Sequence, residues 1–220
     1  MQKEYYFKSP VYVEQNSFDI ENLIKLTDDY IVKEKNKDID KIKKRNESLG
    51  DVGDIGWEYH SEPLYLDKNF INFHTLLKKK SIFILNDMGY DIEQFDLICT
   101  ESWVQEFSEK GFGNHYLHTH PNNHISGFLF LKINEKTSFP FFTDPRTSHS
   151  IIKLPEKNTN DITDASDYVN FKPVPGTLIM FPSYLSHGFQ VDFGLQPFRF
   201  IHFNYRAIEK KYLKDNYEFI

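Results

Sequence analysis

The chain of 220 residues has little cysteine, little tryptophan and no long apolar run. Its one cysteine, Cys99, excludes an intramolecular disulfide and a metal cluster built on cysteines, and it fits a reducing cytoplasm. No stretch reaches the roughly 20 apolar residues that a membrane-spanning helix needs, and the first residues lack the apolar core of a secretory signal. We therefore expect a cytoplasmic protein with no membrane partner.

Basic residues are in the minority. Lys and Arg number 26 against 32 Asp and Glu, which gives a formal net charge of −6 at pH 7. A nucleic-acid-binding domain usually carries a basic surface, so this balance argues against a nucleic-acid partner. The densest charge cluster, residues 33–45, mixes both signs and is typical of a solvated helix end and loop. A basic contact for an acidic partner is the alternative interpretation of that cluster.

Aromatic residues are abundant, with 21 Phe and 13 Tyr, enough for one sizeable core. Apolar residues over 67–88 recur at helical spacing and Gly89 follows, which predicts a helix there. Ser17 is a capping residue ahead of an apolar face over 20–31, which predicts an earlier helix. His74 falls on the apolar stripe of the later helix, and we predict that it packs in the core.

The second half of the chain is typical of β-strands. Long strands are predicted over residues 95–107, 125–133, 177–181 and 198–205, and shorter ones over 138–143, 151–154, 167–172 and 188–192. Helices followed by strands indicate an α+β protein, here of one domain. We expect a helical support region over 1–92, a β-rich core over 93–206 and a charged tail over 207–220.

Four of the nine histidines are concentrated between residues 114 and 127. They are His115, His118, His120 and His124. Residues i and i+2 of an extended chain point to the same side, so His118 and His120 can present two nitrogens to one ion. Neutral imidazole is the commonest protein ligand of transition metals. His115 and His124 lack this spacing, and we expect them at the surface or supporting a ligand ring.

Two later residues extend the pattern. His187 follows a strand-like run, and Arg199 comes twelve residues further on inside another strand-like run. An arginine amid Phe198, Phe200 and Ile201 is costly to bury without an anion. A guanidinium binds a carboxylate through two parallel hydrogen bonds, so Arg199 is a candidate carboxylate-binding residue.

Two ligands close together, a distant third and an arginine on the last strand follow the order found in iron(II)/2-oxoglutarate oxygenases. From Trp103 to Asn204 the chain resembles the 2-oxoglutarate/iron(II) oxygenase family of bacteria and phages, which is distantly similar to prolyl 4-hydroxylases. The matching pieces are Trp103, His118-Thr119-His120-Pro121, Ser126-Gly127, Asp144-Pro145-Arg146, Pro175-Gly176, Phe181-Pro182-Ser183, His187, Arg199 and Asn204. They occur in order over a little under half of the chain.

The resemblance implies a jelly-roll core, which is a cupin-like double-stranded β-helix, buttressed by the N-terminal helices. It also implies that iron(II) is held by His118, His120 and His187. Most relatives have aspartate or glutamate where His120 stands, so Asp144 is an alternative third ligand. Three imidazoles suit iron, but they leave the site one charge unit more positive than a site with a carboxylate.

The resemblance further implies that Arg199 binds the distal carboxylate of 2-oxoglutarate and that Trp103, Phe128 and Phe130 line the cofactor site. Two departures affect this part of the pattern. Ile201 stands where relatives often have serine, and Phe128 and Phe130 stand where they often have tyrosine. Hydroxyl groups that could hold the co-substrate are therefore absent at these positions.

The activity implied by the resemblance is hydroxylation dependent on iron(II), 2-oxoglutarate and dioxygen, with release of succinate and carbon dioxide. No catalytic residue is expected beyond the metal ligands, and the cell is a bacterium or a phage-infected host. The substrate is open between a small molecule and a peptidyl residue. The missing carboxylate also allows a non-catalytic cupin-like module that binds metal or ligand. A third interpretation is an interaction protein whose histidines are incidental.

Overall fold

A computed structural model describes residues 1–5, 7–146, 151 and 154–213. The strand predicted over 151–154 lies largely outside the described residues, as does the second half of the predicted tail. The described part mixes helices with two antiparallel sheets, which confirms the mixed α and β composition predicted from the sequence. No helix within it is both long and apolar enough to cross a bilayer.

Helix α1 (Ile20–Leu49) is longer than predicted. The Asp19 side chain accepts a hydrogen bond from the backbone of the first turn, so Asp19 rather than Ser17 caps the helix. Residues 33–45, expected to end the helix, continue it instead. Ion pairs between side chains three residues apart occur along this stretch and support the helical conformation.

Helix α2 (Ile71–Asp87) follows two short 3-10 turns and lies inside the predicted range. The chain leaves it through Gly89, whose φ of +87° suits glycine. His74 is buried on its inner face, and its Nδ1 lies 3.1 Å from the Tyr205 hydroxyl. The prediction of a packed core histidine is therefore confirmed.

In the part of the chain that the structure describes, ten strands form two sheets. The strands are β1 (Tyr12–Gln15), β2 (Glu58–His60), β3 (Phe95–Phe107), β4 (His115–His118), β5 (Ile125–Lys132), β6 (Pro140–Thr143), β7 (Tyr168–Asn170), β8 (Thr177–Pro182), β9 (His187–Phe189) and β10 (Phe198–Glu209), and a short helix α3 (Lys210–Leu213) follows. The larger sheet has the order β1-β8-β5-β10-β3-β2, and the smaller has β4-β9-β6-β7. The support region over 1–92 also contributes two edge strands to the larger sheet: β1, which overlaps an edge strand that the sequence predicts over 5–13, and β2.

The larger sheet is buried on both faces. On β10, Ile201, Phe203 and Tyr205 belong to the core that packs against α1 and α2. Phe198 and Phe200 belong to a second core, which includes Phe189 of the smaller sheet. We call the phenylalanines of this second core the interior cluster: Phe107, Phe128, Phe130, Phe142, Phe181, Phe189, Phe198 and Phe200.

Close approach of neighbouring strands explains one glycine. A Cβ on Gly127 of β5 would lie 2.5 Å from the Phe203 ring and 2.6 Å from the Ile179 carbonyl oxygen. Strand β5 follows the histidine-rich stretch directly, so the spacing between β5 and its neighbours affects the position of these histidines.

Candidate metal centre

Three histidines converge at one end of the interior cluster. His118 lies opposite His187 in the antiparallel pair of β4 and β9, and His120 follows β4 by two residues. Their candidate ligand nitrogens all lie within 4.8 Å of one another, and the Nε2 atoms of His120 and His187 are 3.3 Å apart. This convergence is the geometry that one transition-metal ion requires.

Backbone and side-chain contacts orient the three rings. His187 Nδ1 lies 2.9 Å from the Leu185 carbonyl oxygen, and His118 Nδ1 lies 2.7 Å from the Tyr116 carbonyl oxygen. Donation of each Nδ1 proton to its carbonyl leaves the Nε2 lone pair for a metal. The His120 ring is held from its Nδ1 side by the Asn204 amide at 3.1 Å.

The electrostatic environment keeps the His187 and His120 rings neutral. Burial lowers the pKa of His187 to about 3 and that of His120 to about 4, and repulsion between neighbouring imidazoles acts in the same direction. Only a deprotonated ring nitrogen binds a metal, so neutral His187 and His120 rings suit metal binding better than protonated ones.

Asp144, the alternative third ligand, lies outside the histidine cluster found among the described residues. Both of its carboxylate oxygens accept hydrogen bonds from Arg146, at 2.6 to 3.1 Å. The arrangement therefore favours His120 as the third ligand.

Arg199 does not lie at this centre. Its Nε donates to Glu106 at 2.6 Å, and its Nη1 donates to Asp28 at 2.6 Å and to Thr27 at 3.2 Å. The residue is 3% exposed and lies on the side of β10 that faces α1. Successive strand residues point to opposite faces, so Arg199 points away from the interior that Phe198 and Phe200 enter. This corrects the expected position of the carboxylate-binding arginine.

The aromatic residues predicted to line the site do face the interior. The Phe128 ring centroid is 5.6 Å from that of His187, and Phe130 follows at 6.0 Å from Phe128. Trp103 contacts the centre through His202, whose ring centroid lies 4.3 Å from that of Trp103. Phe181, at 4.7 Å from His187, is the nearest of the interior phenylalanines to that ligand.

His202 is a residue that sequence reasoning missed. It is 2% exposed, and its ring centroid lies 4.6 Å from that of His120. Within the described residues, neither of its ring nitrogens has a hydrogen-bond partner. The alternation of side chains along β10 could have identified it, because His202 lies on the same strand face as Asn204, which is part of the family pattern.

The two remaining histidines of the cluster support other contacts. His115 Nε2 lies 3.1 Å from a Glu58 carboxylate oxygen and 2.6 Å from the Gln105 amide. His124 Nδ1 accepts a hydrogen bond from the Ala207 amide. Neither belongs to the candidate ligand group among the described residues.

The described residues form two antiparallel sheets and bring together three histidines that could hold one metal ion. A family described as "Putative 2OG-Fe(II) oxygenase" matches residues 101–196, which include all three histidines and end before Arg199. The match confirms the resemblance drawn from the sequence, and the family description names the two cofactors expected there, iron(II) and 2-oxoglutarate.

Solved structures share the fold at low sequence identity. AviO1 from Streptomyces viridochromogenes Tue57 is 12% identical with a TM-score of 0.54, over 90% of each chain. A prolyl-4-hydroxylase from Pseudomonas putida is 10% identical with a TM-score of 0.52, over 89% of this chain and 92% of that one. HygX from Streptomyces hygroscopicus, with nickel and 2-oxoglutarate bound, is 10% identical with a TM-score of 0.52, over 90% and 83%. A comparison with curated protein sequences finds no match.

Proposed function

We propose that the protein is an iron(II)-dependent oxygenase that uses dioxygen and a 2-oxo acid to hydroxylate an organic substrate. The observation that carries this proposal is the convergence of His118, His120 and His187 on one point inside a stretch that matches an oxygenase family. The two sheets are proposed to form a jelly-roll core over 93–206, with 1–92 as its support and 207–220 as a tail.

The donor set fits iron. Three neutral imidazoles suit a divalent iron ion and leave coordination positions open for other ligands. Bound iron supplies the redox chemistry with dioxygen, while the protein positions the reacting groups and excludes competing reactions. His118 is the most exposed of the three histidines and His187 is fully buried, so the open side of the centre lies toward His118.

The residues of the chain have separate tasks in this proposal. The carbonyl oxygens of Tyr116 and Leu185 fix two ligand rings in the tautomer that offers Nε2 to the metal. Phe128 and Phe181 cover the inner side of His187 and exclude water there. The substrate, either a small molecule or a peptidyl residue, is proposed to approach from the exposed side.

The family description supports 2-oxoglutarate as the co-substrate, in which case succinate and carbon dioxide are the products. Its first carboxylate and keto oxygen suit the open metal positions. Its distal carboxylate lacks the expected partner, because Arg199 is already paired with Glu106 and Asp28. The proposed function therefore does not depend on a contact with that second carboxylate.

Iron binding and oxygen uptake test the proposal. Protein purified without a histidine tag should bind one iron(II), and the loaded protein should consume oxygen when a 2-oxo acid is added, with release of carbon dioxide. His187→Ala should lose both properties, whereas His124→Ala, outside the centre, should retain them. Absence of iron binding, or of oxygen uptake with every 2-oxo acid in a broad panel, would rule the proposal out.

A second candidate function is a binding module without turnover, which is favoured by the engagement of Arg199 elsewhere. His120→Asp restores the ligand type that most relatives have and separates the two candidates. If oxygen uptake appears only in the His120→Asp protein, the natural chain is a binding module. If the natural chain already consumes oxygen, it is an oxygenase.

A further inference from the structure

We propose that this centre binds a 2-oxo monocarboxylate, held by the metal and by His202 and Trp103, in preference to a dicarboxylate such as 2-oxoglutarate. The inference rests on the proposed function, since it names the class of 2-oxo acid used at the same metal. It follows from the lack of an unpaired cation at the interior among the described residues, the acid Glu58 at its far side, the charge of the ligand set and two donors without a described partner.

Among the described residues, no unpaired cation lies at the interior cluster to meet a second carboxylate. Arg199 lies on the other face of β10 and is neutralised by Glu106 and Asp28. Across the described residues, no lysine or arginine stands at cation–π distance over a ring of the interior cluster. A carboxylate buried among phenylalanines without a counter-ion is strongly disfavoured.

The far side of the interior instead carries an acid. Glu58 accepts a hydrogen bond from the buried Gln105 amide at 3.0 Å and lies 3.1 Å from His115 Nε2. The His115 ring in turn packs 5.4 Å from Phe189. A distal carboxylate extending in this direction would meet a like charge, which raises its free energy further.

Positive charge is concentrated at the metal end. Three neutral histidines leave the full charge of a divalent ion, whereas a carboxylate ligand would cancel one unit. The missing interior cation and the missing carboxylate ligand thus compensate each other in total charge. The resulting distribution attracts one anionic group directly at the metal and favours an uncharged remainder.

Two buried donors beside the metal ligands have no partner in the described part of the chain. They are the ring of His202, with both nitrogens unpartnered, and Trp103 Nε1. The His202 ring is stacked between His120 at 4.6 Å and Trp103 at 4.3 Å. A buried N–H group without an acceptor is unfavourable, so these donors fit a ligand that supplies oxygen atoms. Neutral N–H groups can bind the carboxylate or keto oxygen of a metal-bound 2-oxo acid.

Binding to the natural protein is the first test. Protein loaded with iron(II) without oxygen is titrated by calorimetry with pyruvate, 2-oxobutyrate, 2-oxoisocaproate and 2-oxoglutarate, and the charge-transfer absorbance of the metal complex is followed. The best monocarboxylate should bind about tenfold or more tightly than 2-oxoglutarate. Tighter binding of 2-oxoglutarate overturns the inference and leaves the proposed function in place. Absence of metal-dependent binding by every acid, in protein that does bind iron, overturns both.

A variant series tests the role of the unpartnered donors. His202→Phe keeps a stacked ring but removes both nitrogens, so 2-oxo acid affinity should fall about tenfold while iron affinity is unchanged. His202→Gln returns a donor and should recover part of the affinity. His74→Phe is the matched control, because it removes a buried histidine on the helix side of the sheet. Unchanged 2-oxo acid affinity in a folded His202→Phe protein would show that His202 does not hold the ligand.

Discussion

Arg199 and His202 lie three residues apart on β10 and face opposite sides of the larger sheet. A buried guanidinium needs an anionic partner, and the carboxylates of Glu106 and Asp28 in the same chain are the partners of Arg199. The imidazole enters the interior beside the candidate metal ligands, and no described group is hydrogen-bonded to it. At the residue scale, the side of the strand therefore separates a structural charge from a proposed binding group.

Replacement of Arg199 should affect folding and leave the site intact. Arg199→Met leaves Glu106 buried, and we expect a loss of about 3 kcal/mol in the free energy of unfolding, at the low end for a broken buried pair because Lys35 still contacts Glu106. Urea unfolding measures this loss, and calorimetry should show unchanged 2-oxo acid affinity.

Arg146→Met is the control for that experiment, because it removes an exposed arginine paired with Asp144 and should cost below about 1 kcal/mol. A loss of 2-oxo acid affinity without a loss of stability in Arg199→Met would identify Arg199 as the co-substrate anchor after all.

The buried histidines should make the metal-free protein sensitive to acid. The pKa of His187 is about 3 when folded, below the ordinary value of 6.5, so between these pH values the unfolded chain binds a proton that the folded chain does not. Stability from this group is complete above pH 6.5 and is lost as the pH falls toward 3, by about 1.4 kcal/mol per pH unit.

Urea unfolding at several pH values checks this dependence. In His187→Phe the slope between pH 6.5 and 4 should be shallower than in the natural protein. An equal slope in the two proteins would show that His187 does not titrate in the way its burial implies.

At the element scale, the pairing of β4 with β9 builds the centre. It places His118 opposite His187, although 69 residues separate them in the chain. The larger sheet sets the other side of the site, because β3, β5 and β10 bring Trp103, Phe128 and His202 into one row. A change in the spacing of these strands should therefore alter the geometry of the candidate metal site.

Gly127→Ala tests that dependence. The added Cβ would lie 2.5 Å from the Phe203 ring and 2.6 Å from a backbone oxygen of β8, so the strands must shift. We expect a loss of about 1 to 3 kcal/mol in the free energy of unfolding. Iron affinity should fall as well, which calorimetry measures. Stability equal to that of the natural protein would show that the sheet adapts without strain.

At the scale of the whole molecule, metal binding should be coupled to folding. The three ligands come from two strands and a loop that meet only in the folded chain, so an ion binds the folded state preferentially. At an iron(II) or nickel(II) concentration about 100 times the dissociation constant, the stabilisation should be about 2.7 kcal/mol.

Thermal unfolding with and without the ion measures this effect. His120→Ala should abolish the shift, and His124→Ala should keep it. A shift that persists in His120→Ala would mean that the ion binds elsewhere.

The sequence by itself determined helix α2, the long strands β3, β5 and β10, the packed His74 and the spacing of His118 and His120 as paired ligands. These features depend on periodicity and local spacing, which a short segment contains in full. The convergence of His187 with them was predicted through the family resemblance, and the structure places the three rings together.

Only the tertiary structure decided where Arg199 and His202 point. The first eight residues of β10 are buried, and polar side chains occur on both faces, so its sequence lacks the regular alternation that would reveal an inward side. The direction of each side chain follows from the register of β10 with β3 and β5, and a shift by one residue reverses it. The length of α1 likewise depends on tertiary contacts, because its charged half packs beside β2 and β3 and continues as helix.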